Sequence, residues 1–141
     1  MKPQKQAFLH NPEAGVYGDC WRTAIACLLD MDRDSVPHFY SGGDSGEQID
    51  ETNTWLNERG MMLVQIPLPP DFQLSHLGEL GWIPKDAHIL LSGKSPRGTS
   101  HVVIANGNGE IAFDPAIPGG GLIGPDDETG CYWVGIIAKR T

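Results

Sequence analysis

Glycine and proline punctuate this chain so densely, 18 and 11 in 141 residues, that only short helices and strands fit between the breaks. A helical bundle is excluded on that ground, and an α+β domain with conspicuous loops is expected. The length is that of one ordinary domain, able to bury about two thirds of its unfolded surface, so residues 1–141 read as a single unit. Hydrophobic residues at 40% and charged residues at 20% fit neither a disordered chain nor a coiled coil. No stretch recurs at a fixed period, which excludes a solenoid or a propeller.

Charge and cysteine usage narrow the partners. A formal net charge of −8 without a basic patch repels a phosphate backbone, so no nucleic-acid partner is expected. No apolar run approaches the roughly 20 residues of a membrane span, and the N-terminal MKPQKQAFLH lacks the apolar core of a secretory signal. The chain therefore reads as cytoplasmic, with no membrane partner. Cys20, Cys27 and Cys131 cannot all pair within the molecule, so a free thiol is expected, with Cys131 unpaired. With His38, His88 and His101 the cysteines show no CxxC, HxxxH or HxH spacing, so neither a metal nor another cofactor is expected.

Turn formers Asn11-Pro12, Gly15 and Gly18 lead to Asp19, which can cap a helix beginning at Cys20. From Cys20 to Met31, Ala24, Ile25, Cys27, Leu28 and Leu29 recur at helical spacing almost without charge, the pattern of a buried helix. After a loop through Ser41–Gly46, a second helix is expected from Glu47 to about Arg59, with Ile49, Asn53 and Leu56 on one face and Gly60 as its stop. Met61 to Ile66 reads as a strand closed by Pro67, Pro69 and Pro70, and Leu74 to Leu80 adds a helical turn or two. His88–Leu91, His101–Asn106, Glu110–Asp114 and Tyr132–Ala138 are β-like runs between glycine-containing breaks. N-terminal helices packed on a small, mostly antiparallel sheet are expected.

Chemistry concentrates at Gly18-Asp19-Cys20-Trp21-Arg22. A thiol at the start of a helix meets unpaired N–H groups and the positive end of the helix dipole, and both favour a thiolate. With a cationic neighbour, thiols in such places titrate at about 3.5–7.5 instead of about 8.5. Taken alone, Cys20 reads equally well as a small apolar filler. Its partner comes from hairpin geometry. If Gly107-Asn108 is a two-residue turn, Ala105 faces Glu110, Val103 faces Ala112, and His101 faces Asp114 on one side of the ribbon. A three-residue loop shifts this register by one and sends the two side chains to opposite faces. In the first register Asp114 orients the imidazole, and Cys20, His101 and Asp114 form a candidate triad. Judged singly, His101 is a hydrogen-bonded strand histidine and Asp114 a turn initiator.

The chain resembles the papain-like cysteine hydrolases, most nearly the small C39-like and bacteriophage-encoded members. The matching stretches are Gly18-Asp19-Cys20-Trp21-Arg22-Thr23-Ala24, Val36-Pro37-His38-Phe39, Ser100-His101-Val102-Val103 and Phe113-Asp114-Pro115. The order Cys, His, Asp is that of the family, and the resemblance implies a helix packed on an antiparallel sheet with the active site at their junction. A phage-encoded member would work in the host cytoplasm. Family members usually carry a glutamine about six residues before the nucleophile to bind the oxyanion, whereas this region reads Glu13-Ala14-Gly15. The backbone N–H of Cys20 is one donor. Asn11 is the expected second, with Gln6 and Tyr17 as alternatives.

Trp21 beside the thiol either lines the approach to it or packs in the core, and Tyr17 joins it as a candidate substrate-binding residue. The Ser41–Gly46 loop and the glycine-rich stretch Pro115–Pro125 are expected to border the cleft, Lys94–Arg97 with Gly98-Thr99 to form a flexible basic loop that either contacts an acidic substrate or is simply exposed, and Asp126-Asp127-Glu128 to be a solvated turn. The expected activity is hydrolysis of an amide, peptide or isopeptide bond in a peptide or protein substrate through a thioester acyl-enzyme. Two rivals stand beside it: an inactive papain-like binding or inhibitory protein, motivated by the absent upstream glutamine, and a transglutaminase-like acyltransferase. Substrate identity and oligomeric state are not written in these residues.

Overall fold

The computed structural model describes residues 1–140. Three helices, α1 (Cys20–Leu28), α2 (Gln48–Asn57) and α3 (His76–Leu80), accompany five strands, β1 (Met61–Pro67), β2 (His88–Lys94), β3 (Ser100–Asn106), β4 (Ile111–Phe113) and β5 (Trp133–Lys139). The strands form one antiparallel sheet in the order β1-β5-β2-β3-β4. The fold is thus α+β, with helices on an antiparallel sheet. Among the described residues no helix is long and apolar enough to cross a membrane.

Helix α1 is buried on most of its circumference, through Trp21, Thr23, Ala24, Ile25, Ala26 and Cys27, as its lack of charge requires. It stops at Leu28, three residues short of the expected Met31. The reason is Asp30, which takes a left-handed conformation (φ 56°) and lets Met31 N–H reach back to Ala26 O at 3.0 Å. Aspartate tolerates that conformation better than most side chains, and the 6→1 bond closes the helix end. Helix α2 buries Gln48, Thr52 and Leu56, and Gly60 at φ 73° turns the chain into β1. Asn53 fixes that junction by accepting Leu63 N–H at 2.8 Å.

Both faces of the sheet are covered. On one, α1 and α2 pack Trp21, Ile25 and Leu56 against Leu63, Leu90, Val102 and Ile104. On the other, Leu68, Phe72, Leu74 and Leu77 cover Ile89, Leu91, Val103 and Val134. The alternation along β3, with Val102 and Ile104 in one cluster and Val103 and Ala105 in the other, is the period-two pattern of a central strand.

The β3–β4 connection corrects the expected register. Asn106 N–H bonds Glu110 O at 2.8 Å, so the loop is Gly107-Asn108-Gly109, three residues rather than two, with Gly109 at φ 86°. Ala105 therefore faces Ile111, not Glu110, and Ile104 faces Phe113. One residue, Ala112, is extra on β4, a bulge that moves the register by a second step. Two shifts of one restore the original parity. His101 and Asp114 are not directly opposed, yet Asp114, just past the end of β4, keeps the parity that an uncorrected three-residue loop destroys.

Gly107 pins this hairpin, because a Cβ there would lie 1.9 Å from Pro84 O. No rotamer relieves a clash with backbone, so Gly107→Ala is expected to lower stability by about 3 kcal/mol, measured by chemical denaturation. A variant as stable as the parent contradicts this packing.

Candidate active site

Cys20 is the first residue of α1 and half-buried. Its neighbour Asp19 occupies the cap position but does not cap the helix with its side chain, contrary to expectation. The carboxylate is fully buried and accepts Phe8 N–H at 2.8 Å, Ala7 N–H at 3.2 Å and Arg22 Nε–H at 3.0 Å. A buried carboxylate needs several donors, and the incoming N-terminal arm with one guanidinium supplies them. Arg22 thereby neutralises Asp19.

The same arm reaches the other side of the site. Gln6 N–H bonds Pro115 O at 2.9 Å, and Lys5 Nζ donates to the carbonyls of Asp114 and Ala116 at 2.9 Å each. Residues 5–8 thus stitch the start of α1 to the loop after β4. Nothing in the local sequence signals the link to the loop after β4, because those contacts span more than 100 residues and end on backbone carbonyls.

His101, at the beginning of β3 and 5% exposed, meets Asp114 through Nε2···Oδ1 at 2.7 Å. Asp114 is itself held: Oδ1 accepts Ala116 N–H and Oδ2 accepts Gly121 N–H, both at 2.8 Å. The Cys20 side chain lies close enough to the His101 ring to raise its pKa, and both line one cavity, with Nδ1 the ring nitrogen that Asp114 leaves free. The structure thus brings the three residues singled out in the sequence to one place, His101 and Asp114 in direct contact.

Electrostatics follow from that convergence. Burial by itself drives the His101 pKa down, but the hydrogen bond to Asp114, followed by the bond and charge of Cys20, outweighs it and raises the ring to about 9. Burial pushes the Asp114 carboxyl upward, and the bonds from His101, Ala116 and Gly121 overcome it, bringing the acid to about 2. At neutral pH the pair is imidazolium and carboxylate. Tyr40, near the thiol, is pushed up to about 12 by burial and then by the charges of Asp44 and Cys20, so its hydroxyl stays neutral.

Cys20 and His101 open on a cavity of about 810 Å³. Trp21 fills both roles considered for it: it lines the cavity and is buried in the core with Nε1–H on Thr52 Oγ1 at 3.0 Å. Tyr17 also lines it, its carbonyl 3.0 Å from His38 Nε2. Asn11 does not. It is exposed, opens the 3₁₀ turn Pro12–Ala14 and bridges Val16. Of the two amides weighed as donors, Gln6 is the one that lines the cavity. It is 4% exposed, with Nε2 donating to Phe8 O.

The borders differ from those expected. The Ser41–Gly46 loop contributes Gly43 and Asp44, but Pro115–Pro125 does not line the cavity and instead supports Asp114 from behind through Gly121. Asp126, Asp127 and Glu128 lie on the cavity wall, tied there by Ser100 Oγ–H to Asp126 at 3.0 Å and by Lys94 to Asp127 at 2.9 Å. The turn carrying Arg97 is no free loop: Ser95 is fully buried, and its N–H bonds Thr99 O at 2.8 Å.

All three cysteines are free. Cys27 is fully buried in the core, and burial pushes its thiol upward. Among the described residues no three His, Cys, Asp or Glu side chains are grouped to hold a metal ion. Comparison with protein-family models, curated proteins and solved structures finds no match.

Proposed function

We propose that this chain is a papain-like cysteine hydrolase that cleaves an amide, peptide or isopeptide bond through a thioester acyl-enzyme. The observation that carries this reading is an imidazole held by a carboxylate on Nε2 that opens on the same cavity as a helix-start thiol. The Cys20 sulfur attacks the carbonyl carbon, and the resulting tetrahedral intermediate collapses as His101 gives its proton to the departing amine. Water then enters, His101 takes one of its protons, hydroxide adds to the thioester, and the second tetrahedral intermediate expels the Cys20 sulfur as thiolate beside the imidazolium, releasing the acid and restoring the starting pair. Because His101 is protonated at neutral pH, the proton needed by the leaving group is in place before attack.

The oxyanion is stabilised by the Cys20 backbone N–H and by the Nε2–H of Gln6 that Phe8 does not use. Gln6→Ala is expected to cut turnover by about a hundredfold, with Asn11→Ala close to the parent. Equal rates for the two variants contradict that role.

The reading as a whole is tested by carboxymethylation. A thiol at a helix start beside an imidazole is a better nucleophile than one on an ordinary surface loop. Iodoacetamide should therefore modify Cys20 at least about tenfold faster than Cys131, which is also partly exposed. Preference for Cys131 would contradict an activated Cys20.

A further inference from the structure

We propose, resting on the hydrolase reading, that the substrate carries a cationic group, an ammonium or guanidinium, seated against Asp44, Asp126 and Glu128 in the Cys20–His101 cavity. The charge inventory of the cavity is lopsided. Its lining holds four carboxylates, with Asp127 added to these three, against Lys94, Arg97 and the protonated ring of His101. Lys94 is paired with Asp127 at 2.9 Å and His101 with Asp114 at 2.7 Å, which leaves three carboxylates against the one guanidinium of Arg97, whose N–H bonds Gly119 O at 3.1 Å. Asp44 accepts a backbone N–H from Gly46, and Asp126 accepts from Ser100 and Glu128 N–H. These bonds neutralise no charge, and none of the three carboxylates forms an ion pair among the described residues.

A second observation, independent of the carboxylates, has the same polarity. Gln6 is 4% exposed and its Oε1 has no hydrogen-bond partner, although the side chain lines this cavity. Its amide cannot simply be reversed, because Nε2 is the atom that donates to Phe8 O. Gln65 lines the cavity too, and its Oε1 is likewise buried without a partner. Both unmet needs are for a donor, and buried acceptors are ordinarily satisfied. A ligand rich in N–H groups suits a lining of this polarity, whereas an anionic or acceptor-rich ligand does not.

The test uses the full chain and a set of peptidyl vinyl sulfones, identical except that each of four positions beside the reactive group carries Lys, Gln or Glu in turn. The rate of Cys20 labelling is followed by intact mass. At least one lysine probe is expected to label about tenfold faster than its glutamine counterpart, and the glutamate probe more slowly still. The lysine advantage should shrink at high salt and in the double variant Asp44→Asn with Glu128→Gln. The salt arm needs no variant and so stands even if the variant misfolds. Cys20 labelled with no lysine preference, or with glutamate preferred, overturns the cationic substrate and leaves the hydrolase reading standing. Probes that spare Cys20 and label Cys131 overturn the hydrolase reading, and this inference falls with it.

Discussion

Replacing Cys20 by Ala is expected to abolish turnover, a loss of about 10⁴-fold or more, while the protein unfolds at nearly the same denaturant concentration. No other sulfur can substitute: Cys27 is sealed in the core, and Cys131 does not line the cavity. The fold should tolerate the change, because position 20 is only half-buried at the first residue of α1 and alanine is the best helix former. The variant also has a signature that a purely structural cysteine lacks. Part of the upward pull on His101 comes from Cys20, so the ring should titrate below about 9 once the sulfur is gone, a shift visible by NMR. Retained turnover contradicts the mechanism, and an unmoved His101 titration contradicts the thiol–imidazole contact.

His101→Gln is the second large effect, expected to cost about 10³–10⁴-fold in turnover. Glutamine can accept a hydrogen bond in the same space but cannot carry a proton to the leaving amine. The pH profile separates this role from a structural one. In the parent, hydrolysis should fall as pH rises through about 9, where His101 loses its proton. Alkylation of Cys20 needs no proton donor and should not fall there. The glutamine variant should lose the alkaline limb altogether.

The same titrations set a stability window. His101 is raised in the folded state, so its contribution is complete below the free-histidine value of about 6.5 and disappears as pH rises through about 9. Asp114 is lowered, so its contribution is complete above about 3.8 and disappears as pH falls through about 2. Stability of the parent relative to His101→Gln should therefore be greatest between those limits and narrow on both sides.

The helices were legible because their signals are local. A nearly uncharged stretch at helical spacing and a glycine stop are enough to mark α1 and α2, and only the left-handed Asp30 shortened α1. The convergence of Cys20, His101 and Asp114 was legible in outcome but not in register. A hairpin turn signals a ribbon, whereas the bulge at Ala112 depends on how β4 settles against the sheet. Asn11, the expected second oxyanion donor, does not line the cavity, for a related reason. It is nearer to Cys20 in sequence, but Asp19 folds the arm back so that Gln6, one of the alternatives, lines the cavity instead. The acidic stretch 126–128 reads as a solvated turn by composition, and Asp127 and Glu128 are exposed turn residues; that the stretch also borders the cavity depends on its ties to Ser100 and Lys94. In each case the missing information lay in contacts between distant segments.

The most direct measurement is intact mass spectrometry of the parent and of Cys20→Ala after incubation with a panel of electrophilic peptide, ubiquitin-like and cell-wall amide probes. A single covalent adduct on the parent, mapping to Cys20 and absent from the variant, is the predicted result. Adducts that map to Cys131, or that form equally on both proteins, would contradict a nucleophile at the start of α1.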